Sequence, residues 1–284
     1  MDMSVYQISG PSGGKLAFLL NCSVKMPYGN EGYENWSCSK ERDGILPMAI
    51  NYGCDRKHLP ETLNQLNCLN YNSEDTGDKV KCFEIFERLG IPYPKLVTDP
   101  ANFDAPFLGR KNKSSQGRGI TKFKPKSENW NNYGCDFFVE YIEVAQEFRV
   151  HVFKGQVVCE FNKDFSNCDG FIHSKNFGSK LVFGRLNHPA RLDIIDASIK
   201  ALHGCGLDYG AVDIIADANG KWYVLEVNSA PSMAHSIGYL YAEKIAHFLG
   251  YKIEKFWTIK DDGKFVDNRR VLENFKYEKK SLQD

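Results

Sequence analysis

The chain has 284 residues, enough for about two domains at roughly 150 residues each. Apolar residues make 42%, charged residues 25% and aromatics 13%, which excludes disorder because enough apolar surface is present to offset the entropy of ordering. Lys plus Arg (36) equals Asp plus Glu (36), a balance with no long-range attraction to nucleic acid or an anionic membrane.

From the N-terminus, Gly10-Pro11-Ser12-Gly13-Gly14-Lys15 suggests a phosphate loop but fails as one. Its first glycine lies too close to the Gly-Lys pair, Leu16 stands where a magnesium-binding Ser or Thr belongs, and no strand is expected before it. The apolar run 16–20 reads as a strand. It lacks the charged flank and length of a signal peptide, and no run approaches the roughly 20 residues that cross a bilayer. A second strand is expected at 45–51, so that 15–75 reads as a small α/β unit with long loops.

Val80, Cys82, Phe83, Phe86 and Leu89 recur at helical spacing, and Gly90 with Pro92 and Pro94 ends that helix. Short strands follow at 107–108, 119–123, 137–142 and 148–153, with Gly155 turning the last into 157–161. Leu192, Ile195, Ile199 and Leu202 predict a helix over 191–204 with that stripe as its apolar face. Strands 211–216 and 222–227 form a hairpin turned by Ala218-Asn219-Gly220. A last helix spans 236–249, and the tail carrying Arg269, Arg270, Lys279 and Lys280 reads as a solvated end. The nine cysteines show no Cys-x-x-Cys pair and no zinc-ligand spacing, as expected of reduced thiols in a cytoplasmic protein. In that setting the Asn-x-Ser matches at Asn21, Asn35 and Asn112 carry no meaning.

Two segments carry chemistry. The loop 109–120 holds Ser114, Ser115, Gly117, Gly119 and four cationic side chains between two strands. Such a loop can turn N–H groups and hydroxyls toward phosphate oxygens, although many basic Ser/Gly-rich stretches are plain hairpin loops. The second segment is stronger. Asp213 lies inside an apolar strand, and Glu226 and Asn228, two residues apart, share one face of the strand expected to pair with it. Buried carboxylates are costly unless paired or metal-bound, which leaves two readings. One is a salt-bridged sheet. The other is a hard-cation site for Mg²⁺ or Mn²⁺ completed by nucleotide phosphates and water. No Ser-His-Asp or Cys-His constellation is found.

Taken in order from about 75 to 233, these motifs resemble the ATP-grasp superfamily, especially the carboxylate–amine ligases that include ribosomal-protein glutamate ligases. Gly77-Asp78-Lys79, opening a helix that ends Gly90-Ile91-Pro92, resembles the first ATP-binding lysine segment. Arg110 and the following loop with Ser115, Gly117 and Gly119 resemble the phosphate lid. Glu140-Tyr141-Ile142 resembles the hinge that reads adenine through backbone groups, Glu147 the ribose contact, and Asn176 and Lys163 the phosphate side. Asp213, Glu226 and Asn228 match the metal-binding trio, with Asn228-Ser229-Ala230-Pro231 resembling the Asn-x-x-Pro signature.

The resemblance implies an α/β (α+β) fold of ATP-grasp architecture: a small α/β domain over 1–75, two α+β subdomains clasping ATP between antiparallel sheets over 76–250, and an extension over 251–284. It further implies an ADP-forming ligase that joins a substrate carboxylate to an amine through an acylphosphate, with ATP and Mg²⁺ (or Mn²⁺). Arg149 or Lys163 would stabilise the oxyanion. The substrates could be small molecules or macromolecular side chains, and homodimers are common in the family. Arg110 stands where the family commonly has Lys, which keeps open a kinase on the same fold or a nucleotide-binding regulator without catalysis.

Overall fold

The structure is a computed structural model that describes residues 3–7, 12, 16, 20, 23–25, 48–72, 76–112, 118–168, 170–173, 178–233, 237–249, 251–252, 257–259, 265–267 and 278–279. The chain forms two compact units. One comprises Met1–Ser73, Leu207–Tyr209 and Ser229–Asp284, the other Glu74–Gly206 and Gly210–Asn228.

The first unit is built on a parallel sheet of β1 (Met3–Gln7), β2 (Ser23–Lys25), β3 (Met48–Tyr52) and β4 (Cys68–Leu69), in the order β2-β1-β3-β4. Parallel neighbours require a crossover, and this corrects the expected strand at 16–20. Ser12 and Leu16 are helical, and the Leu20 N–H donates to the Leu16 carbonyl at 3.0 Å, an i to i+4 bond. Five apolar residues in a row carry no periodicity that separates strand from helix. A strand, β1, also precedes the Gly10–Lys15 stretch, against expectation; the glycine spacing and Leu16 still argue against a phosphate loop. Asn70 closes this unit, accepting from the Asp208 and Tyr209 N–H groups at 2.8 and 3.0 Å and donating to the Tyr209 carbonyl at 2.8 Å.

The second unit opens with α1 (Lys79–Arg88), capped by the Asp78 carboxylate, which accepts from the Val80 and Lys81 N–H groups. Its buried face, Cys82, Phe83 and Phe86, meets Tyr93 and Phe137. Gly90 leaves the helix at φ 67°. Then come β5 (Phe107–Arg110), β6 (Ile120–Phe123) and β7 (Phe137–Glu140), an antiparallel sheet in the order β6-β5-β7 over a core of Val97, Phe107 and Phe123. Gly109 is required here, because a Cβ would lie 2.5 Å from the Cys135 Sγ. The expected strand 137–142 ends at Glu140, which leaves Tyr141 and Ile142 outside the ladder.

A five-stranded sheet follows, in the order β10-β9-β8-β11-β12. Its strands are β8 (Gln146–Phe153), β9 (Gln156–Asp164), β10 (Lys180–Phe183), β11 (Tyr209–Ala216) and β12 (Trp222–Asn228). The edge strand β10 was not anticipated; all four of its residues are exposed, so no in–out alternation marks it. β11 is buried at every position. It pairs antiparallel with β12, Asp213 opposite Glu226 and Ala211 opposite Asn228, until Ile214 pairs with Val224 and leaves Leu225 as an extra residue.

Helix α2 (Arg191–Gly204) has the expected bounds but a different inner face. Ile194, Ala197, Ser198, Ala201 and Leu202 are buried, while Leu192 is 72% exposed. Of the expected stripe Leu202 is buried and Ile195 and Ile199 are half-buried, and α2 ends against α1, where a Cβ on Gly204 would sit 2.5 Å from the Leu89 Cδ1. Helix α3 (Ile237–Phe248) belongs to the first unit. The tail expected to be a solvated end carries two short antiparallel pairs, β13 (Tyr251–Lys252) with β16 (Glu278–Lys279) and β14 (Trp257–Ile259) with β15 (Phe265–Asp267). Among the described residues no helix is long and apolar enough to cross a membrane. The seven described cysteines are free thiols.

Candidate active site

The acidic strand pair forms as its alternation demands. Asp213 and Glu226 are cross-strand partners, and the Asn228 amide reaches both, donating to the Asp213 Oδ2 at 3.1 Å and the Glu226 Oε1 at 3.4 Å. Arg149 on β8 grips Asp213 with two parallel bonds, Nε to Oδ1 at 2.6 Å and Nη2 to Oδ2 at 2.7 Å. Burial alone would raise the Asp213 carboxyl, but the Arg149 charge and these bonds outweigh it and hold the group below the usual range. Glu226 moves the other way. Removal from water and the neighbouring Asp213 charge push it up, against the pull of Arg110, Lys79 and Arg149.

Of the two readings of the trio, the salt-bridged sheet is realised at Asp213, whereas Glu226 makes no ion pair among the described residues. Two carboxylates and an amide oxygen suit a hard divalent cation and leave positions for phosphate and water, the way Mg²⁺ is usually held. Glu226 is raised first by burial and then by the Asp213 charge, with Arg110, Lys79 and Arg149 pulling the other way, so a cation here would meet a buried carboxylate that has no ion pair of its own among the described residues. Among the described residues no group of three or more His, Cys, Asp or Glu is placed to hold a metal ion, so a set at this point would need the amide of Asn228.

Lys79 and Arg110, placed on the phosphates by the resemblance, converge on the same spot. Each feels the Glu226 charge, which opposes the lowering that burial imposes on both cations. The Lys79 Nζ donates to the Asn112 carbonyl at 2.9 Å, and the Arg110 guanidinium lies 5.9 Å from the centre of the Phe137 ring. Glu147 and Lys163 form an ion pair, with the His173 Nδ1 3.3 Å from the other Glu147 oxygen and its ring stacked on Phe165 at 4.0 Å. Lys163, assigned to the oxyanion or the phosphates, is thus committed to the residue assigned to the ribose. Counting outward from the Gly155 turn would set Phe148 against Phe161 and Glu147 against Asn162; a register shift between His151 and Val152 moves Phe148 to Asn162 and brings Lys163 level with Glu147, so the pairing was not legible in the sequence.

The hinge narrows. The Glu140 N–H donates to the Lys95 carbonyl at 2.9 Å and the Tyr141 N–H to the Pro106 carbonyl at 3.1 Å, while the Glu140 carboxylate accepts the Lys95 N–H at 2.9 Å. Among the described residues only the Ile142 N–H of these three finds no protein acceptor. Sequence reasoning missed Lys122, whose Nζ lies 3.4 Å from the centre of the Tyr141 ring, and gave no role of its own to Asn112, which it met as an Asn-x-Ser match and as one member of the 109–120 loop. Gly119 has φ 68°, and a Cβ there would meet the Lys111 Cγ at 2.8 Å. Ser115, Gly117 and Asn176 lie outside the described residues.

No model of a known protein family matches the chain. Over 181 residues it is 24% identical to a D-alanine–D-alanine ligase of Pseudomonas entomophila, covering 56% of this chain and 57% of that protein. A D-alanine–D-alanine ligase of Francisella tularensis is 27% identical over 175 residues, 56% of this chain and 58% of that one. The chain spans little more than half the length of these curated relatives. Among solved structures, the ATP-grasp ligase PsnB with a phosphomimetic variant of its minimal precursor, Mg and ADP superposes with a TM-score of 0.61 at 16% identity, covering 87% of this chain and 99% of that one. The Bacillus anthracis D-alanine–D-alanine ligase complexed with ATP gives 0.58 at 18% identity, covering 87% and 92%.

Proposed function

We propose that this chain, which has the fold of the ATP-grasp ligases, is an ATP-dependent carboxylate–amine ligase. The observation that carries the reading is the convergence of Lys79, Arg110 and Arg149 on the paired acids Asp213 and Glu226. Phosphoryl transfer asks a protein mainly for positioning and charge neutralisation, and these side chains supply both.

In this reading Glu226, Asn228 and Asp213 hold Mg²⁺ (or Mn²⁺), which when bound neutralises phosphate charge. Lys79 and Arg110 neutralise the remainder, the Ile142 N–H faces adenine, and Glu147 meets the ribose. A carboxylate oxygen of the substrate bonds to the γ-phosphorus as the bond to the β,γ-bridging oxygen breaks, and ADP leaves. An amine then attacks the acyl carbon, loses a proton and expels phosphate. Arg149, anchored on Asp213, carries the cationic edge available to the tetrahedral oxyanion. The comparisons include both D-alanine ligases and a ligase bound to a precursor peptide, so amino acids and peptides are the first acceptors to screen. The free thiols suit a reducing, cytoplasmic setting.

Two measurements test this. Hydroxylamine added with Mg-ATP and a turned-over carboxylate should yield a hydroxamate with ADP, because only an acylphosphate is trapped; ADP without hydroxamate would point to a kinase. Mg-ATP at about a hundred times its Kd should stabilise the protein by about 2.7 kcal/mol, a rise of several degrees in Tm. A flat melting profile across millimolar Mg-ATP contradicts the nucleotide site.

A further inference from the structure

We propose that Asn112 is a positioning residue for Lys79, fixing where its ammonium group stands at the phosphate end of the site. The inference rests on the proposed function only in taking a nucleotide as the ligand of Lys79.

Asn112 binds Lys79 twice. Its Oδ1 accepts the Lys79 main-chain N–H at 2.7 Å, and its carbonyl accepts the Lys79 Nζ at 2.9 Å. The first bond completes the cap of α1 from another part of the chain: Asp78 already serves Val80 and Lys81, which leaves the Lys79 N–H over. A cap alone would need only that bond. The second holds the end of a four-carbon stem that would otherwise sample many rotamers, so less order has to be created when an anion arrives.

Asn112 is itself held from two sides. Its Nδ2 donates to the Asp78 Oδ1 at 3.0 Å, and its N–H donates to the Asp136 Oδ2 at 2.8 Å. Asp136 lies 3.5 Å from the Lys111 Nζ and donates its own N–H to the Arg110 carbonyl at 2.9 Å. One asparagine thus links the start of α1, the end of β5 and the approach to β7, and with them both phosphate-side cations.

The test is a double-mutant cycle read by titration calorimetry with Mg-ADP on the full chain. N112A keeps the carbonyl that accepts the Lys79 Nζ but loses the Oδ1 and Nδ2 bonds that hold it in place, and should weaken binding several-fold; K79M should weaken it by about tenfold or more, the size of a lost hydrogen bond to a charged group. The double variant should bind no more weakly than K79M, since without the ammonium nothing remains for Asn112 to place. If N112A binds like the wild type, or weakens binding by the same factor in both backgrounds, Asn112 is a helix cap only and the proposal falls. Wild-type protein that binds no Mg-ADP would remove the nucleotide reading itself, and this inference with it. Should N112A not fold, N112S carries the same cycle.

Discussion

Replacing Glu226 with glutamine is expected to make the ligand-free protein more stable while reducing turnover by about three orders of magnitude. The loss corresponds to the several kcal/mol of charge stabilisation that a metal ion supplies, here deprived of its charged ligand. The gain has a separate origin. Glu226 is half-buried beside Asp213, and its carboxyl titrates above the usual carboxylate range. A group whose pKa is raised by folding contributes stability that is full below its unfolded value, near about 4.3, and is lost as pH climbs through the folded value. At neutral pH the wild type carries that cost, and the glutamine variant does not. The variant's Tm should therefore exceed the wild type's near pH 7, and the difference should shrink toward pH 4. ADP release and thermal melts on the same preparations decide the matter. Turnover close to wild type would remove Glu226 from the metal site, and a variant that loses both activity and stability would indicate a packing defect.

Arg149→Met should have the largest effect on stability. The Arg149 and Asp213 side chains are only 22% and 10% exposed, and removing one partner of such a pair strands the other charge away from water. A loss of about 3–5 kcal/mol follows, roughly 10 °C in Tm. Adding Asp213→Asn should restore most of that stability and none of the turnover, because the stranded charge is gone but the cation is still missing. If Arg149→Met melted like the wild type, the pair would be incidental to the fold. If the double variant recovered activity, Arg149 would have no part in the chemistry. Acid adds a check of opposite sign to that for Glu226: the Asp213 carboxyl is lowered, so its stabilisation is present above an unfolded pKa of about 3.9 and fades as pH falls through the folded value.

What could be read without coordinates was local. The trio at Asp213, Glu226 and Asn228 was legible because period-two alternation and an Asn-Gly turn set the hairpin register to within a residue. The helix at Lys79–Arg88 was legible because an apolar stripe and a terminating glycine followed by two prolines agree. Side-chain pairing between distant segments was not. Nothing near Arg149 announces that its guanidinium closes on an aspartate of another strand, and nothing near Asn112 announces Lys79. The inner face of α2 was read only in part: Leu202 of the expected stripe is buried, but the face is turned toward Ile194, Ala197 and Ala201 and leaves Leu192 exposed. In the segment expected to be the hinge, which N–H groups are already engaged depends on Lys95 and Pro106, and nothing near Glu140 or Tyr141 in the sequence announces either.

The single unmatched residue at Leu225 carries a consequence for how this hairpin can vary. In an unbroken strand Val224, Glu226 and Asn228 would all point the same way. Because the ladder skips a place, Val224 follows Ile214 to one side, and Glu226 follows Asp213 to the other. The turn that joins the strands can grow or shrink without disturbing this arrangement. The loss of Leu225 would also leave the acids in place, since Val224 and Glu226 would then be neighbours facing opposite sides and Glu226 would stay opposite Asp213 in an unbroken ladder. What β12 cannot lose is Val227, because without it Glu226 and Asn228 would fall on opposite faces and the amide would leave the carboxylates.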